Sequence, residues 1–185
     1  MPYRAPDAAN PRVRRTRDRM RAAARELLAE AGPAGLTYSV LAERAGVTRQ
    51  TLYRHWPSRS GLLVDLILEG STGDYPEPGD DPAAVAIAWL ASLRDGLRDQ
   101  GRRAAVVAVA AQADADPDSA QALTELAADR RAALNDLLRP SGVQVAAEEY
   151  PLLYGPVLAR IIFERAAATD EFIASVVAQW LAGRK

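Results

Sequence analysis

The chain has 185 residues, 49% hydrophobic and 25% charged, the balance of a soluble globular protein rather than a disordered or fibrous one. It has no cysteine and a single histidine, His55, which excludes a disulfide framework, a thiolate nucleophile, zinc held by sulfur and any multi-histidine metal site. The formal net charge of -1 conceals a division, because residues 1–60 hold 12 Arg against 5 Asp or Glu and the remainder holds 11 Lys or Arg against 19 Asp or Glu. A cationic third suited to a polyanion is joined to an acidic remainder. No apolar run approaches the roughly 18 residues of a membrane span, and no apolar signal segment follows the arginine-rich N-terminus. A cytoplasmic protein without cofactor is expected.

Residues 1–10 are proline-containing and aperiodic and read as a flexible arm. Asn10 and Pro11 form a helix start, the asparagine as cap and the proline at the first helical position. From there to Gly32, Val13, Met20, Ala23, Ala24, Leu27, Leu28 and Ala31 keep helical spacing, while Arg12, Arg14, Arg15, Arg17, Arg19 and Arg21 occupy the other faces. Gly32, Pro33 and Gly35 stop this helix. Thr37 caps a second helix carrying Val40, Leu41 and Ala45, which Gly46 breaks. A third helix runs from Thr48 to before Pro57, and a fourth from Ser58 through Leu62, Leu63, Leu66 and Ile67 to Gly70. The stretch 71–79, STGDYPEPG, reads as loop or hinge. Beyond it helical patterns cover about 81–99, 102–114, 117–138, 144–165 and 170–182, and no strand-like alternation occurs, so the class is all-α.

The segment GLTYSVLAERAGVTRQTLYRHWPSR, residues 35–59, meets the physical criteria of a helix-turn-helix. One helix ends at Gly46, where positive φ carries no side-chain penalty, and Val47 fills the corner. On a helical wheel Leu52 and Trp56 of the third helix point one way. Gln50 and Arg54 point the other, flanked by Arg49, Thr51, Tyr53 and His55. Arginine pairs bidentately with guanine and glutamine with adenine, while hydroxyls and the imidazole suit phosphate oxygens.

At GLT (35–37), LAERAGVT (41–48), TLYRHWPSR (51–59) and Leu62-Leu63, the sequence resembles the tetracycline-repressor-like (TetR) family of bacterial transcription regulators. The resemblance covers residues 11–68. It implies an all-helical homodimer with a three-helix DNA-binding domain over 11–57 and, over 58–185, a helical domain that binds a small-molecule effector and dimerises. It places Thr37, Thr48, Thr51, Tyr53, His55 and Arg59 at the DNA backbone and Arg49, Gln50 and Arg54 nearest the bases. Two positions depart from the family pattern: Trp56 replaces a usual Phe, and Gly61 replaces a helix former, so the fourth helix lacks a capping box and is expected to start less firmly.

Trp89, Tyr150, Tyr154 and Phe163 are the candidates for an effector pocket. Residues 150–163, YPLLYGPVLARIIF, are apolar around the helix rather than along one stripe. Such a helix needs cover on every side, and a four-helix bundle with a second copy supplies it through Leu158, Ile161, Ile162, Phe172, Val176, Val177 and Trp180. Pro151 and Pro156 leave the start of this helix open. Asp114, Asp116, Asp118 and Glu125 fall at calcium-loop positions, but Ser119 stands where that loop needs glycine, and the acids read as a helix connection capped by Asp116. His55 has no nucleophile or orienting carboxylate at recognisable spacing. The expectation is a ligand-responsive regulator, most simply a repressor, that binds a palindromic operator as a homodimer and is not an enzyme. The rival readings are an architectural DNA-binding protein without effector and a small helical enzyme.

Overall fold

The structure, a computed structural model, describes residues 11–68 and 75–184. The expected arm over 1–10, the Asn10 cap and the first part of the 71–79 hinge lie outside the described residues. Every regular element among the described residues is helical, in agreement with the all-α class.

Helix α1 spans Pro11–Gly35 and is broken at Gly32, whose φ of 64° leaves the helical region before a short turn containing Pro33. Its apolar stripe of Met20, Ala23, Ala24, Leu27 and Leu28 is buried. Helix α2 (Tyr38–Ala45) starts where Thr37 Oγ1 accepts the Val40 N–H at 3.3 Å and stops at left-handed Gly46. Helix α3 (Arg49–His55) follows, with Thr48 as its cap. Helix α4 (Arg59–Leu68) starts after Ser58, as expected, and is capped by it: Ser58 Oγ accepts the Gly61 N–H at 3.1 Å. The glycine that removes the capping-box partner therefore leaves a serine-capped start in place.

Two compact units interleave along the chain, one comprising Met1–Glu69 with Asp99–Glu125 and the other Gly70–Arg98 with Leu126–Lys185. This replaces the single cut expected after residue 57. The reason lies in α4 and in α6 (Gln100–Gln112), which pack with the N-terminal helices instead of leaving them. Leu62, Leu63 and Leu66 of α4 and Ala105, Ala108 and Val109 of α6 are buried. Asp99 caps α6 by accepting the Arg102 N–H at 2.6 Å, so this helix begins two residues before the expected start. Gly101 is its point of nearest approach to α1, since an added Cβ would lie 2.8 Å from both the Cβ and the carbonyl oxygen of Arg25.

The second unit holds α5 (Pro82–Gly96), most of α7 (Pro117–Leu138), α8 (Tyr150–Leu158) and α9 (Asp170–Ala182). Asp116 starts α7 as expected, accepting from the Asp118 N–H at 3.2 Å and the Ser119 hydroxyl at 2.6 Å. The Ser119 hydrogen bond is the main reason its carboxyl titrates below the ordinary range. The helix expected from residue 144 begins only at Tyr150. Asn135 explains the difference: its Oδ1 accepts the Val145 N–H at 2.8 Å and its Nδ2 donates to the Val145 carbonyl at 3.1 Å. That clamp holds Val145 in a non-helical connection with its side chain buried. Pro151 then sits in the first turn of α8, where its missing N–H costs nothing. Past Pro156 the chain widens into a π-turn over Ala159–Phe163, closed where Arg165 adopts φ 56°.

Val176, Val177 and Trp180 lie in the core of this unit with Trp89, Leu90, Leu134, Leu153 and Ile173. The partner-facing role expected for these three is corrected, because one chain already covers their side of α9. Ile161 and Phe172 are half-buried against the same core. The apolar groups that face outward are Phe163, 82% exposed, and Leu152, 63% exposed. Gly101→Val is expected to destabilise the first unit by about 1–3 kcal/mol, the usual cost of forcing atoms into a filled contact. Urea unfolding would show it as a lower midpoint at unchanged slope.

Candidate nucleic-acid interface

Seven residues make α3, too few to be stable alone. Its order comes from both ends and from beneath. At the start, Thr48 Oγ1 accepts the Thr51 N–H at 3.2 Å and lies 2.9 Å from the Thr51 hydroxyl. Leu52 and Trp56 are completely buried underneath. At the far end, the Tyr38 hydroxyl lies 2.8 Å from the Trp56 carbonyl and 2.7 Å from the Ser58 carbonyl, bridging α2 to the link between α3 and α4. The Tyr38 ring meets that of Tyr53 edge-on at 4.8 Å and so orients it.

With the apolar side fixed, Arg49, Gln50, Tyr53 and Arg54 are exposed on one face, with Thr37 and Thr48 exposed at the two caps. Thr51 and His55 are half-buried beside them, the imidazole 5.7 Å from the Trp56 ring. Eight of the nine sequence-selected residues thus lie on α3 or at the caps of α2 and α3. Arg59 is the exception. Its Nη2 donates to the Pro33 carbonyl, so it fastens the start of α4 to the turn after α1. That contact uses one of its five N–H donors, and the Pro33 carbonyl also accepts the Leu36 N–H at 3.3 Å.

The feature that sequence reasoning missed is Asp65, an acid in the apolar run of α4 and only 8% exposed. Arg17 Nη2 donates to its Oδ1 at 2.7 Å, and Arg21 grips both oxygens through Nε at 2.7 Å and Nη2 at 2.8 Å. The Trp56 indole N–H completes the set, donating to Oδ2 at 3.0 Å. One carboxylate thus joins α1, the end of α3 and α4. The signal was a charged residue between Leu62, Leu63 and Leu66, Ile67, where a helix face buried in the core should carry none. Two arginines counted as basic surface are consequently engaged on one carboxylate inside the unit, while Arg14, Arg15 and Arg19 stay exposed. On α2, Arg44 pairs with Glu30 at 2.9 Å, and its hydrogen bond and charge hold the Glu30 carboxyl below the ordinary range.

Residues 21–66 match the model of the bacterial regulatory proteins of the tetR family. Over this stretch the chain is similar to the N-terminal domain of TetR-family transcriptional regulators. An uncharacterised HTH-type transcriptional regulator of Bacillus subtilis (strain 168), YdeS, is 34% identical over 68 residues, 37% of this chain and 34% of that protein. The chain thus spans about a third of that relative's length. A crystal structure of the TetR family transcription regulator SCO0332 superposes with a TM-score of 0.68 at 28% identity, covering 92% of this chain and 98% of that one. A TetR transcriptional regulator from Rhodococcus sp. RHA1 has the same fold, with a TM-score of 0.66 at 21% identity over 93% and 98% of the two chains. Among the described residues no helix is long and apolar enough to cross a membrane, and no group of three or more acids or histidines is placed to hold a metal.

Asp65→Asn is expected to cost about 3 kcal/mol of stability, the loss that follows when one partner of a buried ion network is removed. Arg17→Met should cost about 1 kcal/mol, because Arg21 keeps its two-point grip. Equilibrium urea unfolding of both variants checks the order.

Proposed function

We propose that this chain is a transcriptional repressor that binds a palindromic DNA operator as a homodimer and releases it when a small-molecule effector occupies the second unit. The observation that supports it best is the exposed row of Arg49, Gln50, Tyr53 and Arg54 on a helix whose other side is locked by Leu52, Trp56 and the Asp65 carboxylate. Rigid placement of hydrogen-bond donors is what base readout requires. Arg49, Gln50 and Arg54 take base edges, and Thr37, Thr48, Thr51, Tyr53 and His55 take phosphates. No enzymatic role is proposed, since the polar surface serves contact and not bond-making.

For the dimer, the outward apolar side of the α8 region is the favoured face. Leu158 and Ile162 are half-buried outside the core cluster, and Phe163 stands almost fully in solvent. A two-fold partner would bury all three and set two recognition helices about one turn, roughly 34–36 Å, apart on DNA. The effector is assigned to the surroundings of Trp89, Tyr150 and Tyr154, which the fold brings close together. Phe163 leaves that group, being 82% exposed.

Selection from random duplex DNA tests the reading: an inverted repeat with half-sites one turn apart is expected, and enrichment of unrelated sequences would mean an architectural protein instead. On the selected operator, Arg54→Ala should cost about 1–3 kcal/mol and relax preference at one base pair. Binding titrations on matched and mutated operators measure it. Phe163→Glu should shift sedimentation toward monomer and weaken operator binding, with little change in the unfolding midpoint because the residue is exposed.

A further inference from the structure

We propose that Arg14, in the first turns of α1, binds a backbone phosphate of the same DNA that α3 reads, a contact outside the helix-turn-helix that adds affinity without reading bases. The proposal rests on the reading of α3 as the DNA-contacting helix and adds a second element to that surface.

The placement starts from Asp65. Four donors already fill its two oxygens: Oδ1 accepts from Arg17 and Arg21, and Oδ2 from Arg21 and the Trp56 indole. Arg14 belongs to the same row of α1 as these two arginines. At about 100° per residue it falls roughly 20° from Arg21, two turns earlier, and roughly 60° from Arg17, one turn earlier. The carboxylate has nothing left for it. Asp18, one turn on and at the spacing that pairs with an arginine, lies 3.6 Å from Arg21 instead. Arg14 is exposed, and no hydrogen bond or ion pair ties it to another described residue.

The neighbour at the end of this row decides what Arg14 meets. The Arg17 guanidinium lies 5.7 Å from the centre of the Trp56 ring, and Trp56 is the C-cap residue of α3, directly after Arg54 and His55. Arg14 is about 4.5 Å along the α1 axis from Arg17. It therefore stands within one turn of the side chain that touches the end of α3.

Arg12 and Arg15 flank this position, and no acid precedes Asp18 in α1, so the local potential is positive. A guanidinium in such a setting suits an anion, and its fork matches two phosphate oxygens. A duplex docked on α3 supplies phosphates along both edges of the groove. Because Arg14 lies off the helix whose side chains reach base edges, its contact positions the duplex and carries no sequence information. Arg15 and Arg19 are exposed as well, but each lies about 160° round the helix from Arg17. They add long-range attraction, screened over about 10 Å at 0.1 M salt, and make no contact.

The test is binding titration of the full chain on the selected operator at several salt concentrations, and on operators carrying one neutral methylphosphonate at each backbone position in turn. Arg14→Ala is expected to lose about three- to tenfold in affinity on matched and mutated operators alike, and to reduce the slope of log K against log salt by about one. Its urea midpoint should not change. Arg15→Ala and Arg19→Ala should bind nearly as the wild type does. At one position the methylphosphonate should weaken the wild type several-fold and leave Arg14→Ala unaffected, while Arg14→Lys responds as the wild type does. Equal losses in the three alanine variants, a loss in Arg14→Ala that depends on the base pair, or full additivity of Arg14→Ala with every methylphosphonate would overturn the proposal. Arg54→Ala separates the two claims. Relaxed base preference in Arg54→Ala with wild-type binding by Arg14→Ala removes the phosphate contact and keeps the reading of α3; the reverse pattern removes that reading and keeps the contact.

Discussion

The first unit is organised around one buried charge. Asp65 would be prohibitively costly on the inner face of α4 if it stood alone, since an unpaired carboxylate in an apolar interior is disfavoured by several kcal/mol. It is tolerated because α1 presents two arginines one helical turn apart and α3 ends in a tryptophan whose N–H points at the same oxygens. The partners come from the two elements that flank α4, so the positions of α1, α3 and α4 are mutually determined by a single acceptor. A hydrophobic contact between the same helices could slide. Four directed hydrogen bonds to two oxygen atoms leave little room to do so.

That rigidity matters because the surface it supports is short. A seven-residue helix derives almost none of its stability from its own backbone bonds, and its outward residues contribute no burial. Thr48 at one end, Tyr38 and Trp56 at the other and Leu52 beneath supply the constraint instead. The donors of α3 are thereby presented by a fixed platform. The same network redistributes charge: the arginines of α1 that face α4 serve structure, and those on the opposite side remain for a polyanion.

The second unit solves a different problem, which is to order connections that are not helical. Asn135 mimics a peptide group toward Val145, and Arg184 binds Glu149 at 2.6 Å and the Gln144 carbonyl at 2.7 Å while lying 4.9 Å from the Trp180 ring centre. These contacts, with a single 3-10 turn over Arg139–Ser141, order the chain between α7 and α8.

Helical periodicity, glycine stops and threonine caps were local enough to be read directly: α2, α3, the Gly46 turn and the outer row of α3 follow from residues within a few positions of each other. The same holds for α7 and α9, whose expected limits agree with the structure. What the sequence could not carry were the relations between distant residues. Asp65 looked like a lapse in an apolar run until Arg17, Arg21 and Trp56 met it across 48, 44 and 9 positions. The apolar side of α9 resembled an interface until Trp89 and Leu134 covered it. Periodicity states which side of a helix is apolar, because that depends on backbone geometry alone; which neighbour covers that side, and which charge answers another, depends on tertiary packing that brings together residues far apart in the chain.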